Sequence, residues 1–336
     1  MEIRQNISLK PYNTFGIDVK AKYFAEYNSV TELKELISSE VFCSNRHFHI
    51  GGGSNLLLLN DYDGLILHSQ IKEIEKTGED EEFVFLRVGS GMVWDDFVAY
   101  CVSNNYYGVE NLSLIPGEVG ASAVQNIGAY GMEVKDAIFS VETIETATLQ
   151  NRIFSREECR YGYRKSIFKE ELKGQYIITH VTFRLKKNPD YQLDYQHLKQ
   201  AVLERGDINL NNIRETVISI RQSKLPDPAI SGNAGSFFMN PVISAEKFEM
   251  LQQIYPTMPH YPVSQSEVKV PAGWLIEQSG LKGKSFGRVG VHSKQALVII
   301  NLGNATGQEV ADLAAMIMEN VWQKFGIEIR PEVNFI

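Results

Sequence analysis

The sequence predicts an α+β protein built from several small domains. Three observations carry this reading. The chain has 336 residues, more than one average core accommodates, which implies two or three domains. Stretches with strand-like alternation and stretches with helical spacing are mixed along it. The glycine run Gly51-Gly52-Gly53 leads into Leu56-Leu57-Leu58-Leu59, which reads as a buried strand. A dinucleotide fingerprint of the Rossmann kind opens a helix at that point, so that fold is disfavoured.

Taken in order, the first unit begins with a strand near Tyr23. Ser29-Val30-Thr31-Glu32 then forms a capping box over LKELI. Phe48-His49-Ile50 is a short strand running into Gly51. Asp61-Tyr62-Asp63-Gly64 reads as a tight turn, because Asp-Gly tolerates positive φ between two apolar runs. The second unit opens with the strand FVFLRV from Phe83, followed by helical spacing from Val93 to Val102. Residues 107–131 read as one long loop of Gly, Ser, Ala and Asn, a length that is usually functional when ordered. AIFSVETIET (137–146) and YIITHVTFRL (176–185) are strands, with a short helix expected at 156–160. The third unit starts with a helix over about 213–223 and continues through Gly232-Asn233-Ala234-Gly235-Ser236-Phe237-Phe238 and two further helices. The last of these has a capping box, Thr306-Gly307-Gln308-Glu309, and stops at Gly326. A strand over 327–336 closes the chain and carries Glu332. The expected division is 1–72, 73–215, 216–325 and 326–336.

Composition removes several function classes. With 43% hydrophobic and 22% charged residues the chain has the make-up of a globular protein, not of a disordered one. A net charge of −8 argues against nucleic acid as the main partner, since phosphate binding favours a clustered basic surface. Cys43, Cys101 and Cys159 lie far apart with no CxxC pair, which fits a reducing cytosol. There is no apolar stretch long enough for a membrane span, so a cytoplasmic protein that engages no membrane is expected. His47 and His49 are separated by one residue, but no carboxylate or Cys completes a metal set, and no metal is expected.

Two loops could cradle a ligand. Gly51, Gly52 and Gly53, with Ser54 and Asn55, supply consecutive backbone N–H groups without Cβ obstruction; they are either a flexible turn or a nest around a pyrophosphate. Pro116-Gly117, continuing through Ser122, Asn126 and Gly128, would let backbone approach a large planar ligand, or would serve as a structural crossing point. Two such loops, both after strands and both poor in charge, suit one extended cofactor with a pyrophosphate and a flat polar ring, as in FAD. Three further polar residues stand out, each with an ordinary structural alternative: Arg164 in YGYRKS, Ser236 beside two phenylalanines, and Glu332 after Pro331.

These segments together resemble one family. Pro11-Tyr12-Asn13-Thr14-Phe15-Gly16-Ile17, Gly53-Ser54-Asn55, Leu114-Ile115-Pro116-Gly117, Gln125 to Gly131, Tyr163-Arg164, Lys224-Leu225-Pro226-Asp227-Pro228, Gly232 to Phe238, Ala272 to Ile276 and Pro331-Glu332-Val333 occur in the order and spacing of the UDP-N-acetylenolpyruvoylglucosamine reductases of peptidoglycan precursor synthesis. The resemblance covers nearly the whole chain. It implies an FAD-binding fold of the vanillyl-alcohol-oxidase (PCMH) type in two subdomains, plus a smaller α+β substrate domain. It implies non-covalent FAD, NADPH as hydride donor, the enolpyruvyl nucleotide sugar as substrate, and a monomer. By this likeness Ser236 is the proton donor, while Arg164 and Glu332 stabilise the enolate. Tyr130, Lys224 and Asn240 resemble substrate ligands, and Tyr195 resembles the tyrosine that closes over the substrate phosphates in the longer, type I members. His49 and Cys101 invite a covalent tether to flavin, but neither lies within the loop Gly51 to Asn55. The rival readings are a flavin oxidase of the same fold and a catalytically silent nucleotide-binding protein.

Overall fold

The computed structural model describes residues 2–195 and 197–336. The chain divides into two compact units, Met1–Ile7 with Ala21–Gly52 and Asp63–Ser223, and Ser8–Lys20 with Gly53–Tyr62 and Lys224–Ile336.

The first unit holds a four-stranded sheet, a five-stranded sheet and a two-stranded ribbon, Gly128–Ala129 with Met132–Glu133. A four-stranded sheet has the order Ile3–Ser8, Lys20–Tyr27, Tyr62–Ser69, His47–Ile50, and the helices Val30–Ile37 and Glu40–Ser44 belong to the same part of the chain. Its core gathers Ala25, Tyr27, Leu33, Leu36, Leu65 and Leu67, all fully buried. The hydroxyl of Ser29 accepts from the Glu32 amide (3.2 Å), as a cap should. The Glu32 carboxylate, however, takes the amide of Asn28 (2.7 Å) and not that of Ser29, so only half the expected box forms. The expected turn at Asp63-Gly64 does not form either. Tyr62–Ser69 is one strand, paired in parallel with His47–Ile50 so that His47 faces Leu65. The apolar runs on either side, Leu56–Leu57 and residues 65–67, belong to different sheets, so no hairpin joins them.

The second sheet is fully antiparallel, in the order Asn151–Ser155, Ile138–Glu145, Tyr176–Lys186, Phe83–Gly89, Ile74–Glu79. Trp94–Ser103 is a helix with Trp94, Phe97, Val98, Cys101 and Val102 buried. Residues 107–131 are not one loop: they contain a 3-10 turn, Glu110–Leu112, and a helix, Val119–Gln125. The helix forms because Val119 and Ala123 bury with it, and Gly120 lets it approach Ser90, whose Cβ would lie 2.8 Å from a Cβ there. No helix forms at 156–160. The segment turns, with the Glu158 carboxylate on the Ser155 amide (2.8 Å) and Arg160 left-handed at φ 47°.

The second unit contains three helices after Lys224, not two: Ala245–Ile254, Ala272–Gln278 and Gly307–Phe325. The last has the full Thr306/Glu309 capping box and ends at Gly326 in the left-handed conformation, φ 58°. Its core includes Phe15, Phe237, Val270, Leu275, Val310, Ile317 and Val321. The expected strand 327–336 touches its neighbours only in places. Pro331 bridges Phe238, and Asn334–Phe335 pair in parallel with Leu56–Leu57. Pro331 has no N–H to continue a ladder. Among the described residues no helix is long and apolar enough to cross a membrane.

Candidate active site

In the first unit the two glycine-rich loops lie against each other. A Cβ at Gly52 would stand 3.2 Å from the Gly117 Cα, and one at Gly51 would stand 3.2 Å from both the Ala121 Cβ and Glu118 Oε2. The backbones approach closely because neither loop carries a side chain there. Among the described residues the amides of Gly52, Gly117 and Glu118 donate to no protein acceptor, leaving three N–H donors in one small region, the donor set an anion requires. The loop with Pro116 is braced from behind. The Asp95 carboxylate accepts from the Leu114 amide (2.5 Å) and twice from Arg214 (2.7 and 2.9 Å), and Arg221 Nε donates to the Leu114 carbonyl (3.2 Å). Burial opposes charge on Asp95, but Arg214 and the Leu114 amide prevail and hold its carboxyl below the usual range.

Beneath Gly51 lies a chain of ionisable groups that sequence reasoning missed. His68 Nε2 meets Glu118 (2.9 Å), His68 Nδ1 meets Glu26 (3.2 Å), and Glu26 pairs with Arg4 (2.8 Å). Burial works against a charge on His68, yet its hydrogen bonds to Glu118 and Glu26 raise its pKa. Neighbouring His49 is pushed down to about 3 by burial, with His68 adding repulsion, and its Nε2 bonds the Tyr27 hydroxyl at 2.7 Å. Cys101 is buried in its helix and its thiol is pushed far up by desolvation. Nothing in the local sequence marks Glu118 as special; its signal is the strand-borne His68 that it meets.

Arg164 sits at the tip of a tight turn closed by Gly162 and Lys165, whose amides and carbonyls exchange bonds of 3.1 and 3.0 Å. Its own backbone is left-handed, φ 58°. Its guanidinium donates to the carbonyls of Gly128 (3.0 Å) and Asn126 (3.4 Å). The side chain of Asn126, expected on the edge of a ligand, is fully buried and engaged within the protein: it donates to the Gly162 carbonyl (2.8 Å) and to Glu133, and accepts from the Lys135 amide. Ser122 likewise gives its hydroxyl proton to the Val119 carbonyl of its own helix (2.7 Å). Tyr130 and Tyr195 meet edge to face with ring centroids 5.9 Å apart. Burial raises the pKa of Tyr130.

In the second unit Gly53 is left-handed at φ 63°, and a Cβ there would fall 2.0 Å from the Tyr12 carbonyl oxygen. Asn55 does not stand free as a donor: its side chain gives a bond to the Glu332 carbonyl (3.2 Å), while its own carbonyl accepts from the Asn334 amide (3.0 Å). Ser54 is half-buried. Ser236 is exposed, followed by Phe237 and Phe238, which are 0% and 1% accessible. Its loop is built by two residues not expected in the site. Asn233 accepts from the Gly235 amide (2.9 Å), and the Thr14 hydroxyl donates to the Asn233 carbonyl (2.6 Å). Gly232 is required because a Cβ would stand 2.2 Å from the Phe15 carbonyl oxygen. Thr14 and Phe15 belong to the Pro11 to Ile17 motif, which was the available signal. Asn240 Oδ1 accepts from the Ala272 amide (2.9 Å), starting a helix, and Lys224 is exposed.

Comparison with known proteins gives the family. Residues 227–336 match the model of the UDP-N-acetylenolpyruvoylglucosamine reductase C-terminal domain, and residues 23–148 match an FAD binding domain. A UDP-N-acetylenolpyruvoylglucosamine reductase of Porphyromonas gingivalis is 54% identical, covering 100% of both chains. This chain belongs to the UDP-N-acetylenolpyruvoylglucosamine reductase family. The reductase of Bacteroides fragilis is 52% identical over 99% of this chain and 100% of its own. The crystal structure of the Thermus caldophilus enzyme shares the fold, with a TM-score of 0.72 at 23% identity over 100% of this chain and 99% of that one. The apposed glycine loops, with their three unengaged amides, fit the pyrophosphate of the FAD that this domain type binds.

Proposed function

We propose that the chain reduces the enolpyruvyl group of UDP-N-acetylenolpyruvoylglucosamine to the lactyl ether of UDP-N-acetylmuramate, with NADPH as reductant and non-covalent FAD as intermediary. The observation that carries this reading is the 54% identity to such a reductase over the full length of both chains. FAD is held by Gly51, Gly52, Gly53, Ser54, Asn55, Pro116 and Gly117, with Ser122 and Gly128 shaping the wall. The amides of Gly52 and Gly117 serve the pyrophosphate. Segments 1–72 and 73–215 carry the cofactor, 216–325 the substrate, and 326–336 carries Glu332. The same reading gives a monomer acting in the cytoplasm.

FAD held by the two glycine loops would supply the two-electron chemistry, with NADPH as the source of the hydride and the terminal carbon of the enolpyruvyl double bond as its destination. The electron pair of that bond then lies on the adjacent carbon and in its carboxylate. Arg164 binds this carboxylate, a charge-assisted contact suited to a planar guanidinium. The Glu332 carboxyl group adds a second polar contact where charge develops. Ser236 gives its Oγ proton to the carbon bearing the charge, completing addition of one hydride and one proton across the double bond. A serine hydroxyl is a weak acid, and it serves here because the carbanion it protonates is a strong base. Lys224, Asn240, Tyr130 and Tyr195 bind the nucleotide sugar.

The test is optical. Purified protein shows a flavin spectrum, NADPH bleaches it without oxygen, and UDP-N-acetylenolpyruvoylglucosamine restores it. Recovery of colour with oxygen but not with this substrate would replace the reductase with an oxidase, and a colourless protein that binds no FAD would leave neither.

A further inference from the structure

Asn126 closes the helix Val119–Gln125 in the left-handed conformation, φ 48° and ψ 62°, and is fully buried. Glycine fills that position most easily, since a Cβ is disfavoured there. The side chain accounts for the exception. Its Nδ2 donates to the Gly162 carbonyl (2.8 Å) and to Glu133 Oε2 (3.2 Å), and its Oδ1 accepts from the Lys135 amide (3.2 Å). Gly162 is the first residue of the turn that presents Arg164, and Lys165 is the last. The base of that turn is therefore tied to the end of the helix by one buried amide.

The guanidinium is tied to the same place. Its Nη1 donates to the Asn126 carbonyl and its Nη2 to the Gly128 carbonyl, two residues on. A Cβ at Gly128 would stand 3.2 Å from Nη1, so the backbone after Asn126 is shaped to receive the arginine. Asn126 thus holds both ends of Arg164, the peptide that launches it and the guanidinium that ends it.

We propose that Asn126 is a positioning residue for Arg164, setting the direction of the guanidinium toward the substrate carboxylate; the proposal rests on the carboxylate-binding role of Arg164 in the proposed reaction. It assigns the side chain of Asn126 to the protein and not to the cofactor. An error of about 1 Å in a substrate-orienting group can cost on the order of 10²-fold in rate.

Asn126→Gly tests it, because glycine keeps the left-handed cap and deletes only the side-chain bonds. FAD content and the rate of flavin reduction by NADPH stay at wild-type values. Reoxidation by UDP-N-acetylenolpyruvoylglucosamine slows by about 10- to 100-fold, and calorimetric affinity for UDP-N-acetylmuramate, which carries the corresponding carboxylate, weakens. Asn126→Asp gives the same pattern, since it keeps the size but sets a carboxylate against the Gly162 carbonyl and Glu133; it serves if the glycine variant does not fold. The deciding arm is the double variant: in an Arg164→Ala background, Asn126→Gly adds no further loss of rate or of product affinity. Wild-type reoxidation and affinity in the Asn126 variants, or losses that multiply in the double variant, overturn the proposal. If Arg164→Ala alone leaves reoxidation and product affinity intact, the role of Arg164 falls, and this proposal falls with it.

Discussion

The backbone amide of Glu332 donates to the carbonyl of Phe237 at 2.8 Å, flanked by the Pro331–Phe238 bridge and a 3.0 Å bond from the Met239 amide to the Arg330 carbonyl. The acid and the hydroxyl of Ser236 are thus carried on paired backbones of one unit. Each is anchored to buried neighbours, Val333 beside Glu332 and Phe237 beside Ser236. Asn55 adds a second tie through the Glu332 carbonyl. Two groups far apart in sequence are thereby held in fixed register.

Because Ser236 is exposed on a loop whose shape depends on Asn233 and Thr14, removing its hydroxyl should disturb chemistry and little else. Ser236→Ala is expected to keep flavin reduction by NADPH and to slow oxidation by the enolpyruvyl substrate by about 10²–10⁴-fold, the usual loss for one well-placed acid. Stopped-flow measurement of the two half-reactions separates them, and a normal second half would remove Ser236 from the mechanism.

Gly53 and Gly235 are both left-handed, but only Gly53 is hemmed in. A Cβ on Gly53 would meet the Tyr12 carbonyl oxygen at 2.0 Å, whereas one on Gly235 would have nothing within 4 Å. Gly235→Ala should cost about 1–2 kcal/mol, the backbone penalty alone. Gly53→Ala should cost about 3–5 kcal/mol, because backbone must move as well. Urea denaturation of the two variants checks the order, and equal costs would mean that the neighbouring loop yields freely.

The His68 pair with Glu118 and Glu26 gives a pH dependence of definite sign. Its pKa in the folded chain lies above the ordinary value of about 6.5. The stability it contributes is fully present below that ordinary value and is lost as pH rises through the raised one. His68→Gln is therefore expected to destabilise by about 1–3 kcal/mol at about pH 6, with the gap to wild type narrowing toward about pH 9. Chemical denaturation across that range decides it; a gap that widens with pH would mean the histidine is neutral when folded.

Lys224 is an exposed cation in a protein of net charge −8. Lys224→Ala should raise the KM of both NADPH and the nucleotide-sugar substrate, since each ligand brings phosphates and each must use the pocket in turn. Steady-state kinetics with either ligand varied would show this, and an effect confined to one of them would count against a shared site.

Much of the fold was legible because its signals are local. The capping box at Thr306 and the stop at Gly326 depend on residues within one turn, and both form. Phe83–Gly89 and Tyr176–Lys186 are visible through alternation and β-branched runs. Elsewhere a distant partner overrules the local preference. Asp63-Gly64 is turn-prone, but it lies inside the strand Tyr62–Ser69, which the sheet order places between Lys20–Tyr27 and His47–Ile50. The small residues at 119–125 look like loop until packing against Ser90 makes them a helix.

For the site, the two glycine loops stood out by composition, while the resemblance to the reductase family nominated Ser236, Arg164 and Glu332, because motif order survives in a linear chain. Sequence could not apportion their side chains. Asn55 and Asn126 have the chemistry of ligand donors, and the folded chain engages them on the carbonyls of Glu332 and Gly162. Nor could it foresee Thr14 and Asn233 bracing the Ser236 loop, or Glu118 meeting His68. A hydrogen bond is won by whichever partner the fold brings within about 3 Å, and that distance is a property of tertiary structure, as between Asn55 and Glu332, 277 positions apart.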